Sequence, residues 1–325
     1  MPRMIFWIYI GMPFASYGKQ IYHTMATSKS IYANVALICC NIIWACDYPF
    51  YNLVLGKYVS PTAMVTASLI IAAIFSLVPL LWERAERVEP YDRAKILGAA
   101  ILMGLVRKLC MMFGLAHTSP IDGSIISTTT PLLVLILAVS AGIERLTKGQ
   151  VVGLLLGMAG TMAIIITSNS DHHETSSLFG NILIIVSACV SAAYMVWLRR
   201  LVSKYRVTTV LRWIYCSSAI VMLPFGIDSV LTIDVSGMST TILLATLFVL
   251  IVPTYLPNLL LNYSLRVVAP TVSSVYSYIQ PVVAIAITIA MGLEPLHTDT
   301  ILFALIVFIG VGMVVQSYKR RANTQ

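Results

Sequence analysis

Three ionisable residues stand where ionisable residues are costly. Asp47 lies inside one long apolar run, and the adjacent pair Arg107 and Lys108 lies inside another. If both runs cross a hydrocarbon layer as helices, Asp47 sits about 15 residues into its run and Arg107 about 12 into its own. At about 1.5 Å rise per residue those are depths of about 22 and 18 Å. A charge at such depth costs roughly 2.5–3.5 kcal/mol on insertion scales, so it is held there by a partner or by a function. Opposite charges at similar depth can pair if their helices are neighbours. Arg107 and Lys108 point about 100° apart on a helix. One can face Asp47 while the other lines a polar space or reaches outward along its stem. One acid against two bases leaves a local excess of one positive charge, which favours a ligand bearing a carboxylate or another anionic group. Two readings stay open: a buried pair that fixes helix register, and a site that binds a solute or a proton.

Uncharged polar residues recur on helical spacing in other apolar runs. Ser124, Ser127 or Thr128, and Pro131 fall at i, i+3/4 and i+7. Ser274, Ser277 and Pro281 repeat the pattern, with Tyr276, Tyr278 and Gln280 beside them. Hydroxyls so placed can satisfy carbonyls freed by a proline, or they can line a cavity. Pro131 and Pro281 are expected to kink their helices, because proline removes a backbone bond. A third cluster holds Tyr255, Pro257, Asn258, Asn262 and Tyr263; Asn258 is the candidate neutral contact to a solute. Trp44 and Tyr194 offer flat apolar walls, or ordinary packing.

The elements that must position these residues follow from composition. The chain is 58% hydrophobic and 10% charged over 325 residues. A soluble fold of this size has far more charge with which to cover its surface. Stretches near 20 apolar residues match the length of a membrane-spanning helix. Ten spans are read at 31–54, 61–82, 96–116, 121–142, 149–168, 179–199, 208–226, 240–265, 270–292 and 299–317. Residues 1–30 form an N-terminal tail, disordered or interfacial, and 318–325 a short C-terminal tail. With ten spans and both termini cytoplasmic, 18 of the 21 Lys and Arg residues fall on the cytoplasmic side. Lys57 is then the outer exception, and Arg107 and Lys108 lie within a span. Such a bias in short loops sets orientation.

The second half of the chain copies the first. Pro120, Ser124, Pro131, Gly142, Glu144, Leu146 and Gly160 reappear 150 positions later as Pro270, Ser274, Pro281, Gly292, Glu294, Leu296 and Gly310. The copied loop has lost its cations: Arg145 aligns with Pro295 and Lys148 with Thr298. The first span aligns with the sixth at an offset of 147, pairing Asn34 with Asn181 and Ala45 with Ala192. Five spans per copy is an odd number, so the second copy is expected to run upside down relative to the first, as in many secondary transporters.

These residues resemble the EamA-type transporters of the drug/metabolite transporter superfamily. Trp44-Ala45-Cys46-Asp47 is similar to that family's W-G-x-N start. Leu115 to Pro120 and on to Pro131 is similar to its third-to-fourth-span segment. Glu144-Arg145-Leu146-Thr147 and Glu294-Pro295-Leu296 are similar to its GERLT and GEPLT turns. The resemblance covers two tandem units, 31–168 and 178–317. It implies an all-α membrane protein with ten helices around a central cavity lined by spans 1, 3, 4, 6, 8 and 9. It further implies a bacterial plasma-membrane location and export of small metabolites or drugs by alternating access. Asp47 stands where the family usually has Asn, and Arg107-Lys108 also departs from the pattern.

Other classes are disfavoured. A phosphate-binding G-x4-G-K-[ST] loop is absent, so ATP-driven pumping is not expected. Asp171-His172-His173-Glu174 lacks the second ligand pair of a metal site, so no metal or cofactor is expected. All six cysteines fall in spans and suggest no disulfide framework. No soluble basic-aromatic cluster invites nucleic acid. The expected partners are a small-molecule solute, the lipid bilayer and, through Asp47, an exchanged proton, in a monomer or homodimer. An anion or phosphorylated-metabolite exchanger is the runner-up. A membrane-embedded lipid-handling enzyme or a sensor is the reading of another class, for which neither a nucleophile–base set nor an output domain is evident.

Overall fold

A computed structural model of the chain describes residues 28–55, 57–117, 126–168, 178–290 and 298–322. Ten helical segments are defined among them, and no β-strand. They are α1 (Ser28–Val54), α2 (Pro61–Leu77), α3 (Pro90–His117), α4 (Thr130–Ser140), α5 (Lys148–Ser168), α6 (Leu178–Lys204), α7 (Val207–Leu231), α8 (Thr240–Leu265), α9 (Pro270–Ala290) and α10 (Thr298–Ala322). Among the described residues, six helices are long and apolar enough to cross a membrane. Large apolar side chains such as Ile74, Ile220, Phe225 and Leu244 project outward from them. A monomer in water does not carry that much contiguous apolar surface, and the bundle is that of a multi-pass membrane protein.

Local chemistry starts and stops these helices. Ser60 accepts a hydrogen bond from Ala63 N (3.2 Å) and precedes Pro61 at the first turn of α2. Ser239 likewise accepts from Ile242 N at the start of α8. Gly142 takes φ 67°, the left-handed conformation that closes α4. Several helices outrun the apolar spans: α6 continues to Lys204 and α7 continues past Pro224 to Leu231. Apolarity marks where hydrocarbon would be, whereas backbone bonding continues into the polar margin.

Two helices change geometry midway. In α3, Ala100–Val106 forms a π-helical segment directly before Arg107. Ser218 on α7 donates to Ala100 O (2.9 Å) and packs against Gly104, where a Cβ would collide with it. In α9, Tyr276–Tyr278 is a 3₁₀ turn between Pro270–Val275 and Ile279–Ala290. A turn at Thr128–Thr129 precedes Pro131 in the same way.

The contacts repeat with the sequence. Helix α1 packs on α8 and α9, while α6 packs on α3 and α4. Helix α2 packs on α8, and α7 on α3. Exchanging the first five helices for the last five therefore maps one contact set onto the other. The correspondence holds residue by residue. Ser76 meets Cys216 (3.9 Å) and Thr66 meets Gly226, and each pair is the other shifted by 150. Gly153 faces Gly310 and Gly160 faces Phe303, again one pair shifted onto the other. Ser264 donates to Ala33 O (2.8 Å), and Gly114 approaches Gly180 O at the equivalent crossing. These pairings also make α2 antiparallel to α7, and α5 antiparallel to α10.

Candidate functional site

Polar side chains gather at two crossings inside the bundle. The first joins α1 to α9. Tyr276 donates its hydroxyl to Asn34 Oδ1 (2.8 Å), and Gln280 donates to Asn41 Oδ1 (2.7 Å). Asn34 and Asn41 lie seven residues apart on one face of α1, as i and i+7 must. Their own amide groups donate to Ser30 O (2.6 Å) and Leu37 O (2.7 Å), so both carboxamides are held at each end. The 3₁₀ turn before Pro281 lies between the two α9 residues, which a regular helix would set one turn apart.

The second crossing joins α3, α6, α7 and α8. Tyr194 donates to Asn262 Oδ1 (3.1 Å), and Asn262 donates to Asn258 O (2.7 Å). Asn258 in turn donates to Thr254 O (3.0 Å). These i→i−4 bonds run down α8 through the stretch that Pro253 and Pro257 deprive of two backbone donors. Tyr215 on α7 reaches Thr254 O (3.3 Å) and also meets the Asn258 side chain. Arg107 is close enough for its charge to act on the hydroxyls of both Tyr194 and Tyr215. Its backbone carbonyl accepts from Ser187 on α6 (3.1 Å). Lys108, half-buried, is the repeat counterpart of Asn258. Asn258 and Asn262 are buried, at 6% and 0% exposure, so the cluster is sealed by protein in this conformation.

Not every candidate residue joins these clusters. The backbone of Asp47 lies within α1, but its side chain is outside the described residues, as is the whole of Ser124. Helices α1 and α3 share no extended packing seam. Trp44 is half-buried against the main core, and Thr128 is buried at the turn before Pro131. Tyr278 points away from α1: its hydroxyl donates to Leu154 O on α5 (3.3 Å) and its ring lies over Gly157. A groove of about 360 Å³ lies between α2 and α7, but Ile70, Ile74, Leu77, Ile220 and Leu223 give it an apolar, outward-facing wall. The segment Asp171–Glu174 lies outside the described residues.

Sequence reasoning did not select Asn34, Asn41 or Tyr215. The two asparagines carried a signal, since amides seven residues apart in an apolar helix mark one face. Tyr215 carried none, because its role depends on α7 packing beside α8.

At the bundle ends, Glu144 accepts from Thr271 N (3.1 Å). The carboxylate sits at the N-terminus of α9, where free N–H groups and the helix dipole favour negative charge. The α4–α5 connection and the start of α9 therefore share one end of the molecule.

Comparisons with known proteins agree with this architecture. The chain is 24% identical over 208 residues to the uncharacterized transporter YetK of Bacillus subtilis, a match spanning 64% of this chain and 61% of that relative. It is 24% identical to an uncharacterized transporter of Archaeoglobus fulgidus, over 80% of this chain and 90% of that one. The uncharacterized transporter YyaM of Bacillus subtilis matches at 24% identity over 78% of this chain and 84% of its own length. One solved crystal structure superposes with a TM-score of 0.73, covering 90% of this chain and all of that one at 15% identity, which speaks for the fold alone. The EamA-like transporter family model matches twice, at 31–166 and 178–316. Two tandem matches across most of the chain place this protein in the EamA-like transporter family.

Proposed function

We propose that the protein is a secondary transporter of small organic solutes, working by alternating access between two inverted five-helix repeats that together cross the membrane ten times. The observation that carries this reading is the set of contact pairs that interchange under the repeat offset, such as Thr66–Gly226 with Ser76–Cys216. A molecule whose halves are antiparallel copies has two conformations of similar energy, related by swapping the roles of the halves, and that is what alternating access requires. The loop cations support a cytoplasmic location for both termini and for the Glu144 end. A bacterial plasma-membrane location fits the family resemblance.

The solute would sit between the two polar crossings. Asn34, Asn41, Tyr276 and Gln280 offer neutral donors and acceptors on one side, and Arg107, Tyr194, Tyr215, Asn258 and Asn262 on the other. Arg107 and Lys108 favour a carboxylate-bearing solute, such as an amino-acid-like metabolite, with Asp47 as the proton-coupling group or the counter-charge. Family membership in transporters argues against catalysis.

Two experiments test the proposal. Cysteines introduced at Leu146 and Leu296 should label from opposite faces of the membrane; labelling from the same face would end the inverted-repeat reading. Leu296 is outside the described residues, so this test is independent of the structure. A solute screen in proteoliposomes, with and without a pH gradient, should reveal gradient-dependent movement that is lost in Asp47→Asn.

A further inference from the structure

The two repeats carry the same corner motif but give it different partners. Lys57-Tyr58 follows α1, and Lys204-Tyr205 follows α6, at the 147 offset that relates those helices. At the second corner the lysine and tyrosine are fully engaged. Lys204 donates to Glu89 Oε2 (2.7 Å) and Asp92 Oδ2 (2.6 Å), and Tyr205 donates to Asp92 Oδ2 (2.8 Å). The next residues extend the contact: Arg206 N donates to Glu86 Oε2 (2.9 Å) and Thr208 to Glu83 Oε2 (2.8 Å). Three carboxylates from the α2–α3 connection and Asp92 at the start of α3 thus grip the α6–α7 corner, across the boundary between repeats.

At the first corner the counterparts of those carboxylates are absent. By the 150 offset, Glu83, Glu86, Glu89 and Asp92 become Ile233, Ser236, Ser239 and Ile242. Tyr58 is 44% exposed where Tyr205 is 5% exposed. Asp234, the acid nearest in sequence, is turned to its own loop, accepting from Ser236 and Gly237. Among the described residues, no hydrogen bond or ion pair joins the α1–α2 and α7–α8 connections.

We infer that Lys204-Tyr205 and the carboxylates Glu83, Glu86, Glu89 and Asp92 form a gate latch, which holds the bundle shut at the end bearing the basic loops and which, among the described residues, has no counterpart at the equivalent Lys57-Tyr58 corner. The inference rests on the alternating-access reading. In a transporter whose halves exchange roles, closing one end opens the other, so an ionic network at one corner that its repeat counterpart lacks biases the population toward the state open at the opposite end. Unlike isolated surface pairs, the network combines several charges with a buried acceptor.

The test needs no solute. Spin labels at Arg87 and Ser203, in a background lacking the six native cysteines, report the separation of the two latched connections in nanodiscs at pH 7. The parent should give one short distance. Lys204→Ala should raise the ratio of separated to closed molecules about fivefold, the scale of one ion-pair interaction, and Lys204→Arg should restore the short distance. Ser239→Glu with Ile242→Asp, which gives Lys57-Tyr58 carboxylate partners, should separate the Arg87–Ser203 pair although the latch itself is intact. An unchanged distance in Lys204→Ala, in protein that elutes as folded, overturns the latch. Separation in Lys204→Ala without any response to the added carboxylates overturns instead the coupling of the two ends, and with it alternating access.

Discussion

Asn258 and Lys108 occupy equivalent places in the two repeats, and so do Tyr194 and Asp47. Substitution at these positions has made the two halves chemically unlike where their backbones are alike. Asn258 and Tyr194 belong to a hydrogen-bonded cluster, and their counterparts in the first repeat are the ionisable Lys108 and Asp47. Asp47→Asn should abolish transport while leaving membrane insertion and folding unchanged, as read by solute flux beside detergent-solubilised melting. Tyr194→Phe removes the donor to Asn262 and leaves a buried amide oxygen unsatisfied. It should cost about 1–3 kcal/mol of stability, measured by thermal unfolding in detergent against the parent.

At the scale of elements, the seam between α5 and α10 shows what the repeated glycines do. A Cβ at Gly310 would stand 2.5 Å from Gly157 N and 2.7 Å from Gly153 O. Both are backbone atoms, so no side-chain rotation can relieve the contact and the helices must part. Gly310→Ala should therefore destabilise by about 1–3 kcal/mol, the usual cost of overpacking. Gly312→Ala, two residues on, meets nothing within 4 Å. It should be neutral or stabilising by up to about 1 kcal/mol through helix propensity. Melting of the two variants side by side separates close helix approach from a general intolerance of side chains on α10. The π segment of α3 and the Pro253–Pro257 stretch of α8 fall at equivalent places in the two repeats. A π segment interrupts the helix in one half, whereas in the other the two prolines only remove backbone donors from a continuous α-helix.

For the whole molecule, the latch gives stability a defined acid limit. Burial alone would raise the Asp92 carboxyl, but hydrogen bonds from Lys204, Tyr205 and Lys95 outweigh it and hold the group at about 2, below its ordinary 3.8. Asp92 lies on the polar margin of α3, before the apolar stretch begins, facing Glu89 and those three donors. A carboxyl depressed on folding contributes stability that is fully present above its unfolded value and is lost as pH falls through the folded one. Stability should therefore decline between pH 3.8 and about 2, and the Asp92 share of that decline should be absent in Asp92→Asn. Acid titration of the melting temperature, parent against variant, reads this directly.

Composition and repeat determined a great deal before any coordinate. An apolar chain with cations in alternate loops has to be a bundle of spanning helices. Residues copied at an offset of 150 fix which helices are equivalents, because a repeat in sequence is a repeat in packing. Arg145 and Lys148 giving way to Pro295 and Thr298 carried the expectation that the halves are inverted, since loop cations follow the side of the membrane. Partners were not legible, because they come from contacts between residues far apart in the chain. Residues two apart face opposite sides of a helix, but nothing local told that Tyr278 would meet α5 and Tyr276 α1. Nor did sequence spacing reveal that the same Lys-Tyr corner would find four carboxylates in one repeat and, among the described residues, none in the other. Only the tertiary structure brings the α2–α3 connection against the α6–α7 connection, and charge pairing depends on distance in space rather than along the chain.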